Sequence, residues 1–514
     1  MPSSTSWCIS IKMDVPSLSN NMADADRLAQ AVRETLQVSH VRVAKNLFDI
    51  LPEFLRAHNY HIRCLVFFKD DHWAVLAVFP PAGKIRVCGA AIDLGSTRMA
   101  LSIVDLLTSE VLQTRHMDNP QIPFGADVLT RVHHAQTREG RAELQNCVLE
   151  TLQSEMELAC DAVNLSTRDI YLAAVAGNTV MTHLFMGLET RYLVREPYIP
   201  VVNRPGTQLA EEIGFLLHPN AQAFIFPNIG SYFGGDVISG ILAIGMAYQE
   251  EVTMLIDVGT NAEVVLGNKE WLMACAGAAG PALENGVTQM GMRAMAGAID
   301  SVHIDPTALE FTYTTIGNQA PMGICGSGII DLAAQLFVNG LLDIRGKLVG
   351  AKCPNRIYEK NGMMILELVP ARDSGTKAPI ILTQADFDSL IRSKAAMYTI
   401  LETITQAVGM TPQDIRYFYV AGTFGAYIRP DSAISIGMLP DLPRNVFEVV
   451  GNASLKGAIH LLGHRESMLE IAHIQQKITY MELNVNQDFM NRFSAAKFLP
   501  HTDPSRFPSV TWVS

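Results

Sequence analysis

The chain has 514 residues, enough for two to four domains, and its 48% hydrophobic against 18% charged residues marks ordinary globular protein rather than a disordered or fibrous one. A net charge of −12 without any lysine–arginine cluster excludes a nucleic-acid surface built on counterion release. No apolar run approaches the roughly 20 residues of a membrane span, and no cationic leader with an apolar core opens the chain, so a cytoplasmic location is expected.

Residues 1–88 read as a small α/β module: a strand over Trp7 to Met13, a helix near Asp24 to Leu36, and a hairpin of Arg63 to Phe68 with Trp73 to Phe79. It offers no acid–base pair and is expected to serve as a packing or spacer unit. At Ala90-Ala-Ile-Asp-Leu-Gly-Ser-Thr97 an apolar strand runs into Asp93 and then a glycine turn, with a second apolar strand directly after it. Glycine lets backbone N–H groups turn towards an anion, and Ser96 and Thr97 add side-chain donors.

Asn119-Pro-Gln-Ile-Pro-Phe-Gly-Ala-Asp127 begins as loop. From about Gly140 to Ala162 an amphipathic helix is expected, with Leu144, Val148, Leu152, Met156 and Ala159 on its buried stripe. A strand over Ile170 to Ala176 breaks at Gly177-Asn178, a corner where Asn178 could approach a ligand, and enters a helix. His183 in that helix, like His133 and His134 before it, has no companion ligand at metal spacing and reads as structural. After a strand over Ala223 to Phe226, the glycine-rich stretch Gly230 to Asp236 leads into an apolar helix over Val237 to Met246. Asp236 reads equally well as a cap of that helix and as a catalytic carboxylate.

Thr253-Met-Leu-Ile-Asp-Val-Gly-Thr-Asn261 then repeats the earlier pattern: strand, Asp257, Gly259, and the donors Thr260 and Asn261. A carboxylate beside a phosphate repels it unless a cation lies between them. Asp93 and Asp257 therefore read as direct or water-bridged Mg²⁺ partners, and the two hairpins as a grip on one polyphosphate. Glycine-rich segments follow around Cys275 and Cys325, which are open to either a packing or a ligand-facing role. Residues Val349 to Pro379 resemble an inserted hairpin, and Thr383-Gln-Ala-Asp386 is a capping-box variant that starts a helix to about Val408. A strand ending in Ala421-Gly-Thr-Phe-Gly425 and another breaking at Gly451-Asn452 complete a second round of hairpin, helix, strand and glycine corner, and a strand over Ile478 to Leu483 is expected to close the chain. The repetition implies an internal duplication with two similar lobes. The eight cysteines form no C-x-x-C pair, so no iron–sulfur or zinc motif is visible.

Two Asp-Gly hairpins, the strand–glycine–helix connection before the second, and the late Ala-Gly corner resemble the phosphate-1, phosphate-2, connecting and adenosine motifs of the actin, Hsp70 and sugar-kinase superfamily. The strings at 119–127, 175–179, 257–263, 278–282, 323–328 and 421–425 narrow this to a resemblance to the reductive activators of corrinoid proteins, running from about Cys88 to Pro500. The resemblance implies a duplicated, ribonuclease-H-like, two-lobed ATPase core preceded by a small N-terminal α/β domain. It divides the chain into a linker-type domain (1–88), lobe I (89–250), and lobe II with a C-terminal extension (251–514).

It also implies ATP and Mg²⁺ as cofactors and the reduction of cob(II)alamin to cob(I) in a partner corrinoid protein of a methyltransferase system. Carried over by position, Asp93, Gly95, Ser96 and Thr97 would hold one side of the phosphates, and Asp257, Gly259, Thr260 and Asn261 the other. Gly422, Thr423 and Phe424 would border the adenosine, while Asp236 or Asp93 would orient the attacking water. Many such activators begin with a [2Fe–2S] domain, whereas this sequence shows no cluster-ligand spacing, so electrons are expected from a separate ferredoxin-like donor. Ala262 stands where the family usually has glycine, tolerable if φ is negative there. A homodimer is compatible with the sequence, although no heptad specifies one. A small-molecule kinase and a nucleotide-gated, chaperone-like interaction protein are the alternatives on the same scaffold.

Overall fold

The structure, a computed structural model, describes residues 6–69, 71–259, 261–278, 290–422, 428–483 and 488–513. Contacts divide the chain into two compact units, Met1–Gly245 with Ala453–Lys477, and Met246–Asn452 with Ile478–Ser514. The segment 453–477 thus belongs with the first unit although it lies far along the chain.

The first unit opens with a four-stranded sheet of β1 (Cys8–Lys12), β2 (Val41–Val43), β3 (His61–Lys69) and β4 (His72–Phe79) in the order β1-β3-β4-β2. The helix Asp24–Leu36 matches its expected bounds, starts with Asp24 and Asp26 at its positive end, and buries Leu28 and Val32. A second helix, Leu51–Ala57, was not anticipated, because its short span carries Pro52, although proline is harmless in a first turn.

The larger sheet of this unit comprises β5 (Cys88–Leu94), β6 (Arg98–Asp105), β7 (Val111–Asp118), β8 (Ile170–Gly177), β9 (Gly206–Leu209) and β10 (Gln222–Ile225), ordered β7-β6-β5-β8-β10-β9. Strands β5 to β7 form an antiparallel meander, whereas β8 joins β5 and β10 in parallel. Every residue of β8 is buried, which explains its uninterrupted apolar sequence. The helix Arg138–Ala162 starts at Thr137, whose side chain accepts the Gly140 N–H, and buries the five anticipated positions. The apolar helix after the glycine-rich turn is shorter than expected, Gly235–Ala243, because Gly245 at φ +63° ends it.

In the second unit β11 (Thr253–Val258), β12 (Asn261–Gly267) and β13 (Leu272–Ala278) form another antiparallel meander. Two further three-stranded sheets follow: β14 (Ala298–Ile304), β15 (Phe311–Thr315) and β16 (Gly323–Ile324), then β17 (Ile357–Lys360), β18 (Met363–Val369) and β19 (Ile380–Thr383). The anticipated inserted hairpin is β17–β18, turned by Asn361 and Gly362 at positive φ, and β19 adds a third strand. The main sheet is completed by β20 (Tyr417–Ala421), β21 (Phe447–Gly451) and β22 (Ile478–Tyr480) in the order β21-β20-β11-β12-β13-β22. Strand β11 pairs in parallel with β20, and β20 with β21.

The order β13-β12-β11-β20-β21 therefore repeats β7-β6-β5-β8-β10 strand for strand, with the same parallel and antiparallel pairings. This is the duplicated architecture expected from the recurring hairpins. The Thr383 capping box is present: the Thr383 N–H and hydroxyl both donate to Asp386 at 2.6 and 2.8 Å, starting the helix Gln384–Ala407. One expectation is corrected. The last strand stops at Tyr480, and a helix, Phe489–Ala496, follows it, so a strand does not close the fold.

Candidate functional site

In the first unit Asp93 is the penultimate residue of β5, opposite Ala100 of β6 and Ala176 of β8. The turn beyond it demands glycine, since a Cβ at Gly95 would lie 2.0 Å from the Arg98 carbonyl oxygen. Ser96 and Thr97 complete this turn. Its backbone is braced by Asn119, whose side-chain amide donates to the Gly95 carbonyl at 2.8 Å and whose N–H donates to the Thr97 carbonyl at 2.9 Å.

Asn119 is itself held from behind. Its Oδ1 accepts the Gln121 N–H at 2.8 Å, and the Gln121 amide donates to the Leu144 carbonyl at 2.8 Å. Fully buried Arg131 donates to the Gly125 carbonyl at 2.9 Å. Within the polar, proline-punctuated segment 119–127, buried Asn119, Gln121 and Gly125 thus form a scaffold for the phosphate-type turn, held by paired polar groups.

Asn178 caps the helix Thr179–Phe185, its Oδ1 accepting the Met181 N–H at 2.9 Å. Gly234 is pressed against it: a Cβ there would lie 2.4 Å from Asn178 Cα and 2.6 Å from Asp236 Oδ1. Asp236 sits in the first turn of Gly235–Ala243, and its Oδ1 accepts the Val237 N–H at 2.9 Å. The ends of β5 and β8 meet where a Cβ at Gly177 would touch Leu94 Cβ at 2.8 Å. Asp93 receives a 2.8 Å hydrogen bond from Ser454, in the first turn of the helix Ala453–Gly463.

The second unit repeats the motif. Asp257 is the penultimate residue of β11, opposite Glu263 of β12 and Ala421 of β20. The Gly259 N–H donates to the Asn261 carbonyl at 2.9 Å, closing the turn. Gly422, at φ +87°, crosses directly behind: a Cβ would lie 2.7 Å from Asp257 Oδ1 and 2.5 Å from the Val258 carbonyl oxygen. The structure therefore brings together Asp257, Gly259, Asn261 and Gly422. Thr260, Thr423 and Phe424 lie outside the described residues. Ala262 lies within β12 without positive φ, which is the condition under which alanine can replace glycine there.

His183, Cys275 and Cys325 are all buried. His183 Nδ1 lies 2.7 Å from the Thr179 carbonyl and its Nε2 accepts the Val201 N–H at 3.2 Å, while burial lowers its pKa and keeps it neutral. Burial in β13 pushes the Cys275 thiol far up, and Cys325 precedes a helix with its sulfur 3.3 Å from the Ile299 carbonyl. Among the described residues no group of three His, Cys, Asp or Glu side chains could hold a metal ion by itself, and no helix is long and apolar enough to cross a membrane.

Residues 251–511 match the family profile described as the C-terminal domain of RACo, the ASKHA domain, and residues 88–249 and 4–83 match the RACo middle and linker regions. The chain belongs to the RACo family of reductive activators of corrinoid proteins. The RACo assignment extends to curated and solved relatives. The corrinoid activation enzyme RamQ of Eubacterium limosum is 30% identical over 480 residues, covering 91% of this chain and 79% of the relative. The [Co(II) methylated amine-specific corrinoid protein] reductase of Methanosarcina barkeri is 26% identical over 436 residues, covering 78% and 75%. A solved structure of a reductive activator for a corrinoid, iron–sulfur protein superposes with a TM-score of 0.86 at 38% identity, covering 98% of this chain and 80% of that one.

Two positions in this RACo chain escaped sequence reasoning. Ser454 follows the Gly451-Asn452 corner, which parallels Gly177-Asn178 and was the available signal. Asn119 was visible as loop and within the string at 119–127, but not as the brace of Gly95, 24 residues earlier.

Proposed function

We propose that this RACo-family chain is an ATP-dependent reductive activator of a corrinoid protein, returning cobalt from cob(II) to cob(I) in support of methyl transfer. The observation that carries this reading is the likeness, over nine-tenths or more of the chain, to proteins named as corrinoid activators, one of them at TM-score 0.86. The repeated Asp-Gly turns at the ends of equivalent strands supply the phosphate chemistry.

In this reading Asp93 and Asp257 hold the Mg²⁺ of Mg-ATP, which needs only one or two protein carboxylates when phosphates complete its shell. Each aspartate is the penultimate residue of its strand and is followed by a glycine turn, which supports this reading. Bound there, Mg²⁺ would neutralise phosphate charge. Backbone groups of Gly95, Ser96, Thr97, Gly259, Thr260 and Asn261 cradle the phosphates; Asn178 borders them, and Gly422, Thr423 and Phe424 flank the adenosine. Asp236 orients a water for attack on the terminal phosphorus, so the products are ADP and phosphate.

ATP supplies no electron. One electron passes from a separate reduced, ferredoxin-like donor to the partner's cobalt. Nucleotide binding contributes by favouring one geometry of the partner through differential affinity. Residues 1–88, 89–250 and 251–514 act as linker, first and second functional modules of a cytoplasmic protein.

The test is ATP hydrolysis alone, with a cob(II) corrinoid protein, and with sugars or carboxylates. Stimulation by the corrinoid protein is expected; a phosphorylated small molecule would instead identify a kinase. Within the site, Asn119→Ala is expected to raise the KM for ATP about tenfold by freeing the Gly95 turn, with a smaller change in kcat. An unaltered KM would remove Asn119 from the phosphate scaffold.

A further inference from the structure

We propose that Ser454 is a positioning residue that sets the carboxylate of Asp93 for Mg-nucleotide and ties it to the helix carrying Asp236. The inference rests on the nucleotide reading given above. Ser454 is buried, and its hydroxyl donates to Asp93 Oδ1 at 2.8 Å, fixing one carboxylate oxygen. It stands in the first turn of Ala453–Gly463, where the helix terminus also favours the ionised carboxylate.

The backbone of Ser454 is anchored in turn. Its carbonyl accepts the Ser239 hydroxyl at 2.6 Å, and Ser239 lies one helical turn beyond Asp236 on Gly235–Ala243. The two helices cross with backbones almost touching, since a Cβ at Gly457 would lie 1.9 Å from the Ser239 carbonyl oxygen. A side chain at this crossing would push the helices apart. The chain of contacts from Asp93 through Ser454 and Ser239 to the Asp236 helix therefore has little slack, and it fixes where both carboxylates sit within this unit.

An outer partner that orients a metal-binding carboxylate changes metal affinity about ten- to a hundredfold when removed. A residue that merely packs would weaken all nucleotide binding or stability alike. The full chain and its Ser454→Ala, Ser454→Thr and Ser239→Ala variants can be compared by calorimetric titration with ADP, once with Mg²⁺ and once with chelator.

Wild-type protein is expected to bind Mg-ADP more tightly than metal-free ADP. Ser454→Ala should lose about tenfold of that Mg²⁺-dependent gain, with metal-free ADP affinity unchanged. Ser454→Thr, which keeps the hydroxyl, should restore it, and Ser239→Ala, which loosens the anchor of Ser454, should lose a smaller part of the Mg²⁺ gain. If Ser454→Ala keeps the whole gain, or weakens both forms equally, the positioning role is wrong while the nucleotide reading stands. If the wild type binds no Mg-ADP, the nucleotide reading itself falls and this role falls with it.

Discussion

Replacing Asp257 by alanine is expected to reduce ATP turnover by about 10²–10³-fold, the range for loss of a group that stabilises developing charge in an enclosed site. The position makes this a test of chemistry rather than of folding. Asp257 is half-buried at the end of β11, where its backbone pairs with Glu263 and Ala421 regardless of the side chain. The turn is closed by the Gly259 N–H on the Asn261 carbonyl, which the substitution leaves in place. Gly422 packs against the carboxylate without depending on it, so shortening the side chain relieves contact instead of creating a clash. The melting temperature of the nucleotide-free protein should change little. Steady-state phosphate release measures the effect, and turnover near the wild-type rate would remove Asp257 from the mechanism.

Lys394 carries the second large expectation, this time for stability. It lies in the helix Gln384–Ala407 with no exposed surface, and its Nζ lies 3.2, 2.9 and 2.6 Å from the carbonyl oxygens of Gly437, Phe498 and Pro500. One amine thereby ties the long helix to the chain after Phe489–Ala496. Gly437 permits the approach, at φ +70° and with its absent Cβ 1.9 Å from the Pro500 carbonyl oxygen. Close by, burial together with Arg506 and Lys394 lowers His501 to about 4, so no imidazolium competes with the lysine at neutral pH.

Lys394→Met keeps most of the volume but strands three buried acceptors. The expected loss is about 3–5 kcal/mol. That corresponds to a fall of roughly 10 °C in the melting temperature of the second unit. Burial also pushes the Lys394 pKa well below that of a free lysine. The unfolded chain consequently binds this proton more tightly than the folded one. The associated stability is complete above the unfolded value near about 10.4 and declines as pH falls towards the folded one. Denaturant titrations across that alkaline window should show the slope in the wild type and lose it in Lys394→Met. A variant melting within 2 °C of the wild type would show that water or rearranged donors already satisfy the carbonyls.

What could be read from sequence was what local pattern encodes. The two strand–Asp–Gly hairpins, the Thr383–Asp386 cap and the buried stripe of Arg138–Ala162 follow from spacings of a few residues, and each appears as expected. The repetition of strand order followed from recognising the hairpin twice. The edge strand β9 and the β14–β16 layer did not, because short strands carry little periodic signal, while β22 was expected at its start and only its end was placed too late.

The candidate site divides in the same way. Asp93, Asp236 and Asp257 stand at strand and helix ends that glycine announces. Ser454 reaches Asp93 across 361 residues, so the Gly451-Asn452 corner marks a helix start there but not its partner. Asn119 read as loop and Arg131 was not singled out, whereas both are buried beneath the Gly95 turn's scaffold, at 1% and 0% exposure, because the backbone carbonyls there need donors. The Asn361-Gly362 turn was legible in principle, since that pair selects a two-residue hairpin, yet it was read only as part of a broader insertion.

The central claim is that ATP drives cobalt reduction in a partner. The most direct measurement mixes this protein with a cob(II) corrinoid protein and a reduced ferredoxin-like donor, and follows cob(I) absorbance with Mg-ATP, with a non-hydrolysable analogue, and without nucleotide. Cob(I) should accumulate with Mg-ATP and remain near baseline without nucleotide. Equal accumulation without nucleotide would contradict the account.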